Sequence, residues 1–483
     1  MLPLFDQFSS RRWLLVHSAV FIAALAYSLL QQSFLWMALP FALLLLPVFI
    51  RYTYHFYFLL LLLLPLSTEL EFSKTLSTDF PDETLMWLIT GAFFLLIACN
   101  KKLIPTYVFG HHLFWFILLY MGWALVCCVS SVNAWLSLKW VIAKVWYIVP
   151  FVILPSVFIT CKKAMNKALW CLVLPMLLLT IQALIRHGFQ NFSFEGIKEA
   201  MSPFFRNHVA YSGMLVCLTV PMVAAYYYHQ KGSAVRKPLA IAIAISLAGI
   251  VFAYSRGAWV AVILGIAAVY VIRKKIMGLM IGLTVVIVTV FSIWLVTDNH
   301  YLKFGNNHDQ TIFHSNLESH LQATIQGKDV SNAERFYRWV AGARMSTEHL
   351  WTGYGPNNFY PHYKSWTIKA FRTWVSDNPE HSSVHNYFLL MLIEQGIPGL
   401  IFFTALFFAM LLYAQHLYHR LQDRYWKFTA ISIGIVTTMI GGLIFMSDLI
   451  ETDKIGSLFW LCAGLLIVLG SKANTTAASD KDL

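Results

Sequence analysis

Apolar residues run along this chain in blocks, not in alternation with polar ones. The blocks fall at about 13–30, 33–50, 53–67, 84–99, 112–129, 140–160, 168–185, 209–228, 238–254, 257–272, 277–297, 386–415, 428–448 and 456–470. Most approach the roughly 20 residues that an α-helix needs to cross about 30 Å of hydrocarbon, and Met277 to Thr297 carries no charge at all. Backbone inside lipid must satisfy its own hydrogen bonds, so blocks of this length predict helices. The pattern therefore predicts an all-α fold, a polytopic integral membrane helical bundle of about 12–14 transmembrane helices. The blocks are interrupted once, between 298 and 382, which predicts one large loop domain with short helices. The expected organisation is transmembrane helices 1–11 over 1–297, the loop domain over 298–382, the last transmembrane helices over 383–470, and a disordered cytoplasmic tail over 471–483.

Composition agrees with this reading and charge orients it. Hydrophobic residues make up 58% of the chain and charged ones 12%, about half the charged share of a soluble protein, which excludes a soluble protein. The net charge of +12 sits in short connections, where basic residues mark the cytoplasmic side. Arg11 and Arg12 precede the first block and no small-residue cleavage site follows it, so that block is expected to be a retained start-transfer helix with a cytoplasmic amino terminus. Alternation then places Arg51, Lys101 and Lys102, Lys162, Lys163 and Lys167, Lys231, Arg236 and Lys237, Arg273 to Lys275, and Arg420, Arg424 and Lys427 inside. The outer connections are an acidic one (Glu69, Glu71, Asp79, Asp82, Glu83), a short link at 130–138, the stretch 186–208 and the segment 298–382. No basic cluster has the local sequence of a nucleic-acid module. The seven cysteines lie in or beside apolar blocks without a CxxC pair, which points to neither a disulfide framework nor a zinc site.

Cations on the outer side run against the charge rule and are candidates for chemistry. Arg256, in Tyr-Ser-Arg-Gly-Ala-Trp (254–259), stands at the outer junction of two hydrophobic blocks. A guanidinium there costs a few kcal/mol, and its planar fork suits phosphate; snorkelling or pairing with an outer carboxylate is the plainer alternative. Arg206, in Phe-Phe-Arg-Asn-His-Val (204–209), lies on the same side beside Asn207 and His208, as a diphosphate with its two or so charges would require. Arg186 has no comparable surroundings. His381 and His385 are spaced i, i+4 where the long segment re-enters the membrane. That spacing suits metal ligands on a helix, but no HExxH accompanies it; a single histidine at an aqueous pocket floor is instead suited to take a proton from a hydroxyl at neutral pH. Within the long segment, Glu334 to Met345 predicts a short amphipathic helix with Phe336, Trp339, Val340 and Ala343 near one face and Glu334, Arg335, Arg338 and Arg344 spread around it. Gly-Tyr-Gly-Pro-Asn-Asn (353–358), between Trp- and Tyr-rich stretches, predicts an ordered cap.

The segment His385-Asn-Tyr-Phe followed by Glu394-Gln-Gly396-Ile-Pro-Gly399 resembles the signature of the O-antigen ligase and O-antigen polymerase superfamily. Glu334-Arg335 through Trp339, Trp351 through Phe359, and Ser255-Arg256-Gly257-Ala-Trp259 resemble its further patterns, so the ordered likeness spans roughly 205–400. The resemblance implies a bacterial membrane glycosyltransferase of the GT-C type. Such an enzyme takes a glycan from undecaprenyl diphosphate at the periplasmic face of the inner membrane and passes it to an acceptor hydroxyl, for example of lipid A core. Carried over, His385 is the general base and Arg206 and Arg256 hold the donor diphosphate. Asn386, Glu394, Arg335, Arg338 and the Asn207-His208 pair are possible supporting groups.

Two fixed guanidiniums stabilise charge growing on the leaving oxygen, and no Asp or Glu pair marks this pocket in the sequence, so the expectation is a metal-independent enzyme with no cofactor. Its partners are then the lipid-linked donor, a glycan or lipid A core acceptor and membrane lipids, with no nucleic acid. A polymerase of O-antigen or exopolysaccharide and a protein O-oligosaccharyltransferase share these features and stay open. A membrane transporter is the alternative of another class, but transporters show broken helices in two related halves and charges near the midplane. Here no halves repeat and the exceptional cations lie at one face.

Overall fold

A computed structural model describes residues 11–30, 48–73, 76–100, 102–304, 330–368, 376 and 383–479. Among them, ten helices are long and apolar enough to cross a membrane, as a polytopic helical membrane protein requires. The helices are α1 (Arg11–Leu30), α2 (Thr53–Leu63), α3 (Asp82–Cys99), α4 (His112–Val129), α5 (Ala134–Ile148), α6 (Lys162–Phe189), α7 (His208–Tyr228), α8 (Arg236–Phe252), α9 (Arg256–Arg273), α10 (Met277–Val296), α11 (Val330–Ser346), α12 (Tyr387–Arg420), α13 (Arg424–Phe445) and α14 (Asp453–Ser479). Most of the block expected at 33–50 lies outside the described residues, as do 305–329 and most of 369–382 in the loop segment, including His381.

The core is a continuous apolar cluster in which α14 is the most enclosed span, with Phe459, Trp460, Leu466 and Ile467 at or near zero exposure. By contrast, α10 buries only Met277 and presents Val, Ile, Phe291 and Trp294 outward. An all-round apolar surface of this kind is at equilibrium in lipid, where it needs no protein cover.

Two expectations are corrected here. The acidic connection expected as a loop contains an antiparallel hairpin of β1 (Thr68–Ser73) and β2 (Leu76–Phe80), with Thr68 opposite Phe80 and Glu69 opposite Asp79. The polar–apolar alternation of Thr-Glu-Leu-Glu-Phe-Ser is a period-2 strand signal that its charges had obscured. In α11 the inward stripe is Glu334, Tyr337, Arg338, Ala341 and Met345, while Ala343 is exposed and Phe336 and Trp339 are only half-buried. Periodicity ranks aromatic residues inward; here a carboxylate and a guanidinium take that face together because each offsets part of the other's charge.

The feature that joins the loop segment to the bundle is a break in α12. Gly396 adopts φ 68°, ψ −170° inside the helix, and Pro398 follows two residues later. A break frees backbone groups that lipid cannot satisfy, and the loop after α11 supplies their partners. Tyr354 N donates to Ile393 O (3.0 Å), Gly355 N to Glu394 O (2.8 Å), and Ile397 N to Leu350 O (2.8 Å). The buried Glu394 carboxylate in turn accepts from Asn357 N (2.8 Å) and Phe359 N (3.1 Å). The α4–α5 link clamps the other side: Ser137 Oγ donates to Pro356 O (2.8 Å) and Asn358 Nδ2 to Ser137 Oγ (3.0 Å). A Cβ on Gly396 would stand 2.3 Å from Trp351 O, and one on Gly353 2.3 Å from the Glu394 carbonyl carbon.

Gly396→Ala should therefore lower stability by about 1–3 kcal/mol from backbone strain alone, with the clash in addition. Gly278→Ala, whose Cβ would meet only Leu412 at 3.8 Å, should be near neutral. Thermal unfolding in detergent checks both; equal midpoints for the two variants would contradict the docking account.

Candidate active site

Three of the singled-out residues stand at the amino-terminal ends of helices that run away from one face of the bundle. Arg206 precedes α7, whose N-cap Asn207 accepts from Ala210 N at 2.8 Å. Arg256 is the first residue of α9, behind Ser255. His385 precedes α12, whose N-cap Asn386 accepts from Leu389 N at 3.0 Å. Asn386 and Asn207 are thus helix caps, each satisfying an amide that would otherwise be orphaned. None of these three helices carries an acid in its first turn, whereas α3 opens on Asp82 and Glu83 and α14 on Asp453 at the same face. The positive helix ends of α7, α9 and α12 are left uncompensated by their own sequences, which favours an anion there.

Packing brings these ends together. Gly257 faces Leu443 near the end of α13, and Gly213 of α7 faces Leu443, Leu449 and Ile455. The connection after α13 carries Asp448, whose Oδ1 lies 3.7 Å from His385 Nδ1. Burial would raise the Asp448 carboxyl, but its pairing with His385 outweighs this and holds Asp448 below its ordinary value. That connection is fixed by Glu451, which takes Lys144 Nζ at 2.7 Å and Trp140 Nε1 at 3.0 Å.

His385 itself sits in the left-handed region at φ 56°, uncommon for a residue with a side chain. Its ring is about one-third exposed. Arg338 Nη1 lies 2.8 Å from Nε2 and also donates to Ser383 O at 3.3 Å. A guanidinium has donors only, so Nε2 is the accepting nitrogen; in the neutral ring the proton is then on Nδ1, toward Asp448. Glu334 Oε2 stands 3.4 Å from Arg338 Nη2, and Ser376 donates to the same carboxylate. Arg335 is half-buried on the same helix.

The remaining candidates divide. Arg206 is 65% exposed and paired with Glu69 of the hairpin, and burial of its head lowers its pKa from the ordinary arginine value. Its loop is fastened by Lys454, which donates to Phe204 O, to Ser67 O (3.0 Å) and to Pro65 O (3.2 Å). His208 is half-buried near Phe194, ring centroids 6.1 Å apart. Arg186 donates to Ser202 O and so braces this loop. Glu394 faces backbone amides of the docked loop and acts on the scaffold. Asp448, Lys144 and Lys454 were missed by sequence reasoning. Lys144 and Lys454 are cations in or beside apolar blocks, a signal that was present; the tie of Asp448 to His385 spans 63 positions and had none.

Because Asp448 is depressed, its contribution to stability is complete above the unfolded carboxyl value of about 4 and is lost as the pH falls through the lower folded value. Asp448→Asn should unfold at a lower temperature than wild type at neutral pH, and the gap should close on acidification below about 4. Thermal midpoints against pH check this; a gap unchanged down to pH of about 2 would show that the pairing is not its source.

Residues 241–404, about a third of the chain, match a family model described as O-Antigen ligase. The matched range holds Arg256, α11, the docked loop, His385 and the break in α12, while Arg206 and Asp448 lie outside it. No curated protein matches the sequence. The likeness drawn from His385 to Gly399 is thus shown over this region, and the apolar helices make the chain a multi-pass helical membrane protein.

Proposed function

We propose that this protein, similar over residues 241–404 to a family described as O-Antigen ligase, transfers a glycan from undecaprenyl diphosphate to an acceptor hydroxyl at the periplasmic face of a bacterial inner membrane. The observation that carries the reading is the seat of His385: a histidine in the left-handed region, with Asp448 on Nδ1 and an accepting Nε2, beside helix ends that favour an anion. The acceptor oxygen attacks the anomeric carbon while its proton passes to His385 Nε2. The bond from that carbon to the diphosphate oxygen breaks and leaves its electron pair on the oxygen. Arg206, Arg256 and the amino-terminal ends of α7, α9 and α12 stabilise the growing charge. With positive charge supplied in this way the transfer is metal-independent, and a chelator should leave turnover unchanged.

An in vitro assay with purified protein and lipid-linked glycan tests the roles. His385→Ala should lose roughly 10²- to 10⁴-fold in turnover, and His381→Ala far less. If the arginine fork matters, Arg256→Lys should be nearly as impaired as Arg256→Ala, in turnover as well as donor affinity. Wild-type behaviour of His385→Ala would overturn the reading. In a deletion strain, unattached glycan of normal length distribution marks a ligase, and core bearing a single repeat marks a polymerase.

Orientation has its own test, in a background where the exposed Cys99 and Cys161 are replaced. Cysteine at the exposed Thr347 should react with an impermeant reagent in intact spheroplasts, and cysteine at the exposed Lys231 only after permeabilisation. The reverse pattern would invert the membrane assignment.

A further inference from the structure

The proposed base is engaged on the nitrogen it needs. Arg338 Nη1 holds His385 Nε2 at 2.8 Å, and the Arg338 side chain is only 7% exposed. Its other contacts are weaker than an ionised pair usually makes: Glu334 at 3.4 Å and Ser383 O at 3.3 Å, against about 2.7–2.9 Å for a good charge-assisted bond. Its Nε is buried with no hydrogen-bond partner among the described residues. The guanidinium is therefore under-satisfied where it rests, and an anionic oxygen is a better acceptor for it than a neutral imidazole.

Resting on the reading above, we propose that Arg338 is a positioning residue that caps Nε2 of His385 and passes to a phosphate oxygen when a diphosphate enters. The hydrogen bond from Arg338 to Nε2 breaks, one to the phosphate forms, and the Nε2 lone pair becomes available to the acceptor hydroxyl. Proton transfer is thereby tied to occupancy of the donor site, so an acceptor or water alone meets a blocked base. Asp448 stays on the opposite side of the ring, facing Nδ1.

Diethyl pyrocarbonate reads the cap directly, because it acylates only an imidazole nitrogen with a free lone pair. His385 modification is followed by peptide mass spectrometry at fixed pH on the full-length protein in detergent. Arg338→Ala should raise the rate at His385 by about tenfold, as loss of one charge-assisted hydrogen bond predicts, with other histidines unchanged. Inorganic pyrophosphate should accelerate modification of His385 in the wild type and not in Arg338→Ala. Equal rates in wild type and variant, or pyrophosphate that slows or leaves unchanged the wild-type rate, would overturn the proposal. The pyrophosphate arm uses wild type alone and so stands even where the variant does not fold. Failure here is separable from failure of the functional reading, which shows instead as transfer by His385→Ala.

Discussion

A helix that breaks inside a membrane protein must have its freed amides and carbonyls taken up by other protein. In α12 the break at Gly396 is filled by the loop 350–359, whose backbone pairs with Ile393, Glu394 and Ile397, and Glu394 reaches back to the same loop. The placement of Arg338 against His385 hangs from this docking. The loop follows α11 directly, α11 packs on α12 and carries Arg338, and α12 begins two residues after His385. The break thus fixes the distance between a histidine and an arginine 47 positions apart in the chain. It also gives the glycines their reason, because Gly353 and Gly396 face each other's backbones more closely than any Cβ allows.

The second constraint is electrostatic. Cations at this face are expensive unless they are paired, and those whose contacts are described have partners: Lys144 with Glu451, Arg206 with Glu69, Arg338 with Glu334. The pairs differ in rigidity. Lys144 is 3% exposed and holds the Asp448 connection, so it belongs to the scaffold. Arg206, at 65%, can exchange a carboxylate for a phosphate at little cost, since exposed pairs contribute little.

Much of this was legible in the sequence. Most apolar blocks coincide with helices among the described residues, and the helix starts at Asn207, Ser255 and Asn386 are the cap residues such starts favour. The resemblance located His385 and the Glu394-Gln-Gly396 stretch, but gave no hint that Glu394 serves the backbone of a loop some 40 positions earlier. The hairpin was hidden because its strands are short and acidic. The inward turn of Glu334 and Arg338 did not show among charges spread around the helix, because periodicity cannot distinguish a charge facing water from one facing a partner. Asp448 was invisible for a simpler reason: the contact is made by folding, and nothing local to Met-Ser-Asp-Leu announces it.

Pairing among these groups bears on the proposed catalysis. If the cations stood bare, they would bind any anion, and tight ground-state binding adds nothing to turnover. Internal partners weaken ground-state binding by the strength of the contacts displaced, and the loss is recovered where charge on the leaving oxygen exceeds that on the bound diphosphate. Helix ends add positive potential without side-chain entropy and need no reorganisation as that charge grows. On the proposed mechanism, uncompensated ends at α7, α9 and α12 beside paired arginines divide the work: fixed backbone dipoles would attract the donor, and exchangeable guanidiniums would favour the moment its bond breaks.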